Sequence, residues 1–336
     1  MKTLFFNSKP YDREFFDAAN KKFKQQIHYI RPRLSRETCS LAAGYDAVCA
    51  FVNDELDRKV IEGLHEQGVR LIVLRCAGFN NLDLKAASDH RIAVARVPAY
   101  SPHGVAEHAV ALILALNRKI YRAHNRIHEG NFSLNSLLGF ELYGKTVGVI
   151  GTGKIGVSFA NIMLGFGCKI LAYDPFINKK LSTQKNVSYV SLNEIYKQSH
   201  IISLHLPLTP ESFHLIDTKS IKKMKKGVML INTSRGGLIN TKAVVQGLKS
   251  GVIGYLGLDV YEEEAHFFFE DFSGKIIQDD TLARLMTFPN VVMTGHQAFF
   301  TETALQNIAE TTLENIRDFE RGKIKPERQV TEAFIK

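Results

Sequence analysis

Short runs rich in β-branched and aromatic residues alternate with amphipathic stretches along almost the whole chain. TLFFN (3–7), IHYI (27–30), AVCAFV (47–52), VRLIVLRC (69–76) and IAVARVP (92–98) predict a first set of strands. The residues between them carry helical spacing, as in DRKVIEGLHEQG, where Gly68 marks a C-terminal stop. The rhythm then restarts. KTVGVIG (145–151), KILAYD (169–174), IISLHLPL (201–208), VMLINTS (228–234), YLGLDVY (255–261) and VVMTGH (291–296) predict the strands of a second, longer unit. Strands interleaved with helices predict an α/β protein whose parallel sheets are joined by right-handed crossovers. No short internal repeat or low-complexity tract interrupts the pattern.

Between the two sets lies VPAYSPHGVAEHAVALILALNR, in which Ser101 before Pro102 has the form of a helix start. A hinge is expected near Tyr100. After His296, QAFFTETALQNIAETTLENIRDFERG reads as one long helix that returns to the first unit, with a second hinge near Ala298. The expected domains are therefore 1–100 plus 298–336, and an inserted 101–297. Two hinges imply a cleft that closes on ligands.

Composition changes this picture little. The chain has 336 residues, 45% of them apolar and 23% charged, which excludes disordered and disulfide-scaffold classes. Cys39, Cys49, Cys76 and Cys168 show no metal-ligand spacing and read as reduced, mostly buried thiols of a cytoplasmic protein. No run approaches the roughly 20 apolar residues of a membrane span. The start, MKTLFFNSKPYD, has only a short apolar patch and does not read as a signal peptide. A net charge of +9 favours anionic partners. The densest basic stretch, Lys222, Lys223, Lys225 and Lys226, reads as a solvated helix end, with no nucleic-acid motif beside it.

The most informative motif is GTGKIG at 151–156, which follows the strand TVGVI and opens a helix. Gly151 permits a tight turn, Gly153 lets backbone approach a pyrophosphate, and Gly156 lets helix and strand pack closely. The helix N-terminus offers free N–H groups to phosphate. Asp174 ends the next strand, where a carboxylate accepts hydrogen bonds from a ribose diol and repels a 2′-phosphate. NAD is therefore expected over NADP, although Lys179 and Lys180 stand close enough in sequence to meet a phosphate.

Nicotinamide chemistry on a 2-oxo acid needs a cation for the carboxylate, a proton donor for the ketone oxygen, and a group that keeps the donor protonated. Candidates sit just beyond predicted strand ends. Arg235 follows VMLINTS, and a guanidinium grips a carboxylate bidentately. His296 ends VVMTGH, and imidazole suits proton transfer near neutral pH. LDVYEEE supplies carboxylates, and one beside an imidazole stabilises the imidazolium. Periodicity does not choose between Glu262, Glu263 and Glu264.

Along nearly its whole length the chain resembles the D-2-hydroxyacid dehydrogenase family, and within it most closely the D-lactate dehydrogenases. The resemblance is carried by RCAGFNNLD (75–83), VPAYSPHGVAEHAV (97–110), GKTVGVIGTGKIG (144–156), AYDPF (172–176), LHLPLTPES (204–212), INTSRGGLIN (231–240), GLDVYEEE (257–264) and PNVVMTGHQAFFT (289–301). It implies two Rossmann-like parallel-sheet domains, a flavodoxin-like substrate domain and an inserted dinucleotide-binding domain. It implies Arg235 as the substrate-binding arginine, Glu264 as the acid that tunes the histidine, and His296 as the proton donor. NAD contacts are implied at Gly151, Gly153, Lys154, Ile155, Gly156, Asp174, Leu206, Pro207, Thr233, Ser234 and Asp259. Gly78, Tyr100 and Phe299, with Arg235 and His296, are implied on the substrate side. Tyr100, Phe299 and Phe79 are aromatic fillers that would favour a small 2-oxo acid such as pyruvate, or that serve ordinary hinge packing.

Ser212 stands where relatives often carry Asn. Glu264 argues against the related formate dehydrogenases. The C-terminal-binding corepressors carry the same triad types, so the triad alone does not separate them from the enzymes. The resemblance also implies a homodimer or homotetramer. The apolar helix at 102–117 is a candidate dimer surface, and burial within the chain fits it equally.

Overall fold

The structure, a computed structural model, describes residues 1–264 and 267–331. The chain divides into two compact units: Met1–Ser101 together with the segment from Phe299 onward, and Pro102–Ala298. The last five positions of the expected first domain, 332–336, lie outside the described residues.

The first unit begins with β1 (Lys2–Phe5), α1 (Pro10–Phe23), β2 (Gln26–Tyr29), β3 (Ala47–Ala50), α2 (Arg58–Glu66), β4 (Leu71–Leu74), α3 (Leu84–Asp89) and β5 (Ala93–Arg96). Its five strands form a parallel sheet in the order β2-β1-β3-β4-β5. Every residue of β3 and β4 is buried, while edge strand β2 alternates exposed and half-buried positions. Central strands covered on both faces must be apolar throughout, which is why AVCA and LIVL stand out in the sequence. Each fully buried Leu, Ile or Val contributes about 1.5–3 kcal/mol by leaving water. Gly68, with φ +85°, follows α2 and turns the chain toward β4.

The second unit runs α4 (Pro102–Arg118), α5 (Ile120–His128), β6 (Thr146–Ile150), α6 (Lys154–Gly165), β7 (Lys169–Tyr173), α7 (Lys179–Ser182), β8 (Val187–Tyr189), α8 (Leu192–Gln198), β9 (Ile201–Leu204), α9 (Thr218–Lys222), β10 (Val228–Asn232), α10 (Thr241–Lys249), β11 (Ile253–Leu258), α11 (Asp280–Met286) and β12 (Val291–Met293). These strands form a second parallel sheet, β12-β11-β10-β9-β6-β7-β8. Successive crossovers run from β6 outward to β8, then return to β9 on the other side of β6. The strand order therefore reverses between β6 and β9, which opens a crevice beyond their carboxyl ends. Strand β8 is an addition to the sequence expectation. At three residues, none of them buried, it is too short for periodicity to reveal.

Apolar residues of α4, among them Ala106, Ala109, Ile113 and Leu116, are buried within the second unit in one core cluster with Val147, Phe159 and Met163. Among the described residues no helix is long and apolar enough to cross a membrane. All four cysteines are free, three of them buried. Lys222 closes α9, and Lys223 is its C-terminal cap residue.

The final helix, α12 (Glu302–Glu320), starts later than the sequence predicts. Thr301 caps it by accepting the Ala304 N–H at 3.2 Å. The preceding Gln297 and Ala298 are not helical because their N–H groups donate to the Asp259 carboxylate, at 2.9 and 2.8 Å. A tertiary acceptor takes the groups that a first helical turn would leave free.

Candidate active site

The glycine loop after β6 is shaped by contacts that exclude side chains. Gly151 has φ +95°, and a Cβ there would lie 2.3 Å from the His205 carbonyl oxygen. A Cβ on Gly156 would lie 1.9 Å from the Gly151 carbonyl oxygen, so α6 can pack this closely only with glycine. Gly153 has nothing within 4 Å of a Cβ and faces open space. It is also the N-cap of α6 and provides no side-chain cap, so the N–H groups above Lys154 and Ile155 are left for an anion. Beneath the loop, burial pushes the His205 imidazole down to about 3. The ring is neutral, with Nε2 2.9 Å from the Ser203 hydroxyl.

Asp174, beyond β7, accepts the Thr152 N–H at 2.6 Å and the Phe176 N–H at 2.8 Å. These bonds use one lone pair on each oxygen and orient the carboxylate, leaving others for hydroxyl donors. Leu206 and Pro207 begin the loop after β9. The Ser212 hydroxyl closes that loop, donating to the Pro207 carbonyl and accepting the Thr209 N–H, each at 2.8 Å. Beyond β10, Ser234 donates its hydroxyl to the Leu204 carbonyl at 2.7 Å, while the buried Thr233 hydroxyl has no partner among the described residues. An open backbone cradle at a helix start, an oriented carboxylate one strand away, and an orphaned hydroxyl beyond β10, two strands to the other side, fit a dinucleotide.

Three further loops carry the reacting candidates. Arg235 stands three residues past β10, half-buried and in extended backbone, with Nη1 donating to the Ser234 carbonyl at 2.6 Å. Glu264 lies beyond β11 and His296 beyond β12. Since β10, β11 and β12 are neighbours, the strand ends carrying Arg235 and His296 are two inter-strand spacings apart, about 10 Å. His296 Nδ1 is 2.8 Å from Glu264 Oε1, with side chains only 16% and 21% exposed. The structure thus chooses among the three glutamates. Glu264 meets His296, Glu262 meets His214, and Glu263 is exposed. The other Glu264 oxygen accepts the Tyr261 N–H at 2.9 Å, which fixes the carboxylate.

His296 has φ +55°, a conformation that most side chains avoid. Asp259 enforces it. The Asp259 carbonyl accepts the His296 N–H at 2.7 Å. Its carboxylate takes the Gln297 and Ala298 N–H groups at 2.9 and 2.8 Å, as well as the Thr294 hydroxyl. Burial opposes ionisation of Asp259, yet the bonds from His108, Thr294 and Ala298 hold its carboxyl below the usual carboxylate range. The family resemblance implies Asp259 as a cofactor contact. In this structure the residue is buried, and both its oxygens accept bonds from the turn at 294–298, so it shapes the backbone of His296.

His108 on α4 joins the same network, with Nε2 3.0 Å from the Thr294 hydroxyl and 3.4 Å from Asp259. Sequence reasoning missed it, because a histidine inside VAEHAVAL carries no signal of what its helix packs against. It also missed Phe269, whose ring centroid lies 5.7 Å from that of His296.

The remaining candidates lie in the first unit. Gly78 sits in the loop after β4, its carbonyl accepting from Cys76 Sγ at 3.2 Å. The same loop is held by Arg96, which donates to the Ala77 carbonyl at 2.8 Å and stacks 5.0 Å from the Phe79 ring. Tyr100 and Phe299 come together, with ring centroids 6.1 Å apart, and the Phe51 ring lies 6.0 Å from that of Phe299.

This geometry agrees with comparisons to known proteins. Residues 110–298 match the model for the NAD-binding domain of D-isomer specific 2-hydroxyacid dehydrogenases. The chain is 55% identical over 322 residues to 2-hydroxyacid dehydrogenase A of Aspergillus oryzae, covering 95% of this chain and 92% of that one. It is 47% identical over 330 residues to D-lactate dehydrogenase of Escherichia coli, covering 98% and 100%. A solved structure described as the pyruvate reductase of Chlamydomonas reinhardtii superposes with a TM-score of 0.90 at 45% identity, covering 96% and 97%. A dinucleotide cradle in a reversing parallel sheet, together with relatives matched end to end, leads to one conclusion: the chain belongs to the D-2-hydroxyacid dehydrogenase family and is an NAD-dependent oxidoreductase.

Proposed function

We propose that the protein is a D-lactate dehydrogenase, reducing pyruvate to D-lactate with NADH and running in reverse when lactate and NAD⁺ prevail. The observation that carries this reading is the His296–Glu264 bond of 2.8 Å, which joins the ends of β12 and β11, four and three strands from the glycine loop and two and one from the loop of Arg235. The E. coli relative is a D-lactate dehydrogenase and the Chlamydomonas structure is a pyruvate reductase, which supports pyruvate as the substrate.

The cofactor would be held by the N–H groups of the 151–156 loop at its pyrophosphate, by Asp174 at a ribose, and by Leu206, Pro207, Thr233 and Ser234 along the carboxyl ends of β9 and β10. When bound in its reduced form, it supplies the hydride that C2 of the oxo acid accepts. Arg235 holds the substrate carboxylate and draws electron density from the adjacent ketone. With Nδ1–H donated to Glu264, Nε2 of His296 is the ring nitrogen left to face the ketone oxygen, and it delivers the proton there. Glu264 stabilises the imidazolium before transfer and fixes which nitrogen carries the mobile proton. Among the family's activities, the glutamate at 264 fits a donor histidine that must be protonated.

Steady-state loss of NADH absorbance across pyruvate, glyoxylate, hydroxypyruvate and branched 2-oxo acids, with product chirality determined, tests this. Pyruvate is expected to give the highest kcat/KM and the D product. A slower turnover of pyruvate than of phenylpyruvate would reject the small-substrate reading. A corepressor-like protein would show no rapid turnover of any of these acids.

Cofactor preference gives a separate expectation. A carboxylate at the end of β7, as Asp174 provides, would accept a ribose diol and repel the 2′-phosphate of NADP. Wild-type kcat/KM should therefore be higher with NADH than with NADPH, and Asp174→Ala should narrow the gap. Equal efficiencies in the wild type would show that Lys179 and Lys180 outweigh Asp174.

A further inference from the structure

A second histidine–glutamate pair lies beside the first. His214 Nε2 is 2.5 Å from Glu262 Oε1, both side chains being about three-quarters buried (26% and 24% exposed). The bond has a defined polarity. Asn240 uses its Oδ1 to cap α10, accepting the Ala243 N–H at 2.9 Å, so its amide nitrogen is the group that meets His214 Nδ1 at 3.3 Å. Nδ1 is therefore an acceptor, and Nε2 carries the hydrogen donated to Glu262. The other Glu262 oxygen accepts both the N–H and the hydroxyl of Thr241, at 3.2 and 2.9 Å.

These bonds tie three loops at the carboxyl end of one sheet. His214 closes the loop after β9 that begins with Leu206 and Pro207. Its backbone N–H donates to the Gly237 carbonyl at 2.9 Å, and Ile216 and Asn240 continue that pairing. Gly237 lies two residues past Arg235. Glu262 lies two residues before Glu264. Gly236 is pressed onto the same turn, since a Cβ there would sit 2.1 Å from the carbonyl of Tyr261. The backbone next to the guanidinium and the backbone next to the proton-tuning acid are thus in van der Waals contact, and the His214–Glu262 bond locks them. His214 is held at φ +52°, and the Phe213 ring lies flat over its imidazole at 3.8 Å. A non-glycine residue keeps such a backbone only where its surroundings over-determine it.

We propose that His214 is a positioning residue for the reaction. Through Glu262 it sets the distance between the arginine loop and the turn of Glu264, and so fixes where the substrate carboxylate is held relative to His296. The inference rests on the assignment of Arg235 to that carboxylate.

The test is a series at position 214, read as kcat and KM for pyruvate at saturating NADH, NADH Kd by fluorescence, and Tm. His214→Gln reaches Glu262 with an amide N–H in the place of Nε2–H. His214→Asn suits the positive φ but is too short, and His214→Ala removes the donor. The alanine and asparagine variants are expected to raise KM for pyruvate by about 10-fold, with kcat falling less, because a displaced guanidinium binds the carboxylate poorly. NADH Kd should stay within about 2-fold, and His214→Gln should recover most of the loss.

A KM within 2-fold of wild type in folded His214→Ala or His214→Asn would overturn the proposal. So would losses spread equally over kcat, KM and NADH Kd that glutamine does not recover, the signature of general loosening. If His214→Ala fails to fold, the glutamine–asparagine contrast decides, and equal KM values in those two overturn the idea. A wild-type enzyme indifferent to Arg235→Gln would instead sink the assignment of Arg235, a result that none of the position-214 variants can mimic.

Discussion

Replacing His296 with asparagine is expected to slow pyruvate reduction by about 10²–10⁴-fold, the range for losing a positioned general acid. Asparagine is the informative choice. Its amide nitrogen occupies the region of Nδ1 and keeps a donor for Glu264, while nothing replaces Nε2. After glycine, it is the uncharged residue that best tolerates the φ of +55° at this position, so the turn shaped by Asp259 should persist. The fall should appear in kcat and kcat/KM together, because proton delivery matters only as the ketone oxygen gains charge. NADH binding, measured by fluorescence, and Tm should stay near wild type. A turnover within about five-fold of wild type would mean that the proton comes from elsewhere, since general acid catalysis by this side chain cannot be worth so little.

Arg235→Gln should lower kcat/KM for pyruvate by about 100-fold or more. The guanidinium supplies a charge and two parallel donors to a carboxylate, and glutamine keeps only one neutral donor. Both orientation and transition-state stabilisation are lost, so KM should rise as kcat falls. The extended backbone of Arg235 accepts any side chain, and its half-buried guanidinium donates to the carbonyl of the adjacent Ser234, so folding should be little affected. Arg235→Lys separates the two contributions. It restores the charge without the fork and should recover only part of the loss. Kinetics like the wild type in Arg235→Gln would remove this residue from the site.

The two predictions differ in how much of their basis could be read before any geometry was known. The alternation of strand and helix was plain because central parallel strands are covered on both faces and become unbroken apolar runs, as in LIVL and VMLIN. Strand β8 escaped notice because an edge strand of three residues buries none of them. The glycine loop was legible because its three glycines stand at fixed spacing between an apolar strand and the start of a helix. Arg235 and His296 were legible as residue types at strand ends, and the family resemblance gave them roles.

Their partners were not legible in the residues themselves. Three consecutive glutamates look alike in a sequence, yet Glu262 and Glu264 point to different histidines from one turn, and Glu263 is left in solvent. Which histidine each meets depends on neighbouring strand ends more than 30 residues away. The start of the last helix was misjudged for a similar reason. Local pattern favours helix from 297, but a buried carboxylate at 259 takes the N–H groups of Gln297 and Ala298 and holds the chain open until Thr301.

By itself, then, the order of residues determined what depends on neighbours along the chain: burial periodicity, the strand–glycine loop–helix pattern, and which side chains are chemically able to react. The tertiary structure decided what depends on neighbours across the sheet: the bond from His296 to Glu264, which the residues alone left open among three glutamates, the support that Asp259 gives the turn of His296, and the tie between His214 and Glu262. The physical reason is range. Steric and periodic preferences act over a few residues, whereas a hydrogen bond forms only when folding brings its two ends within about 3 Å.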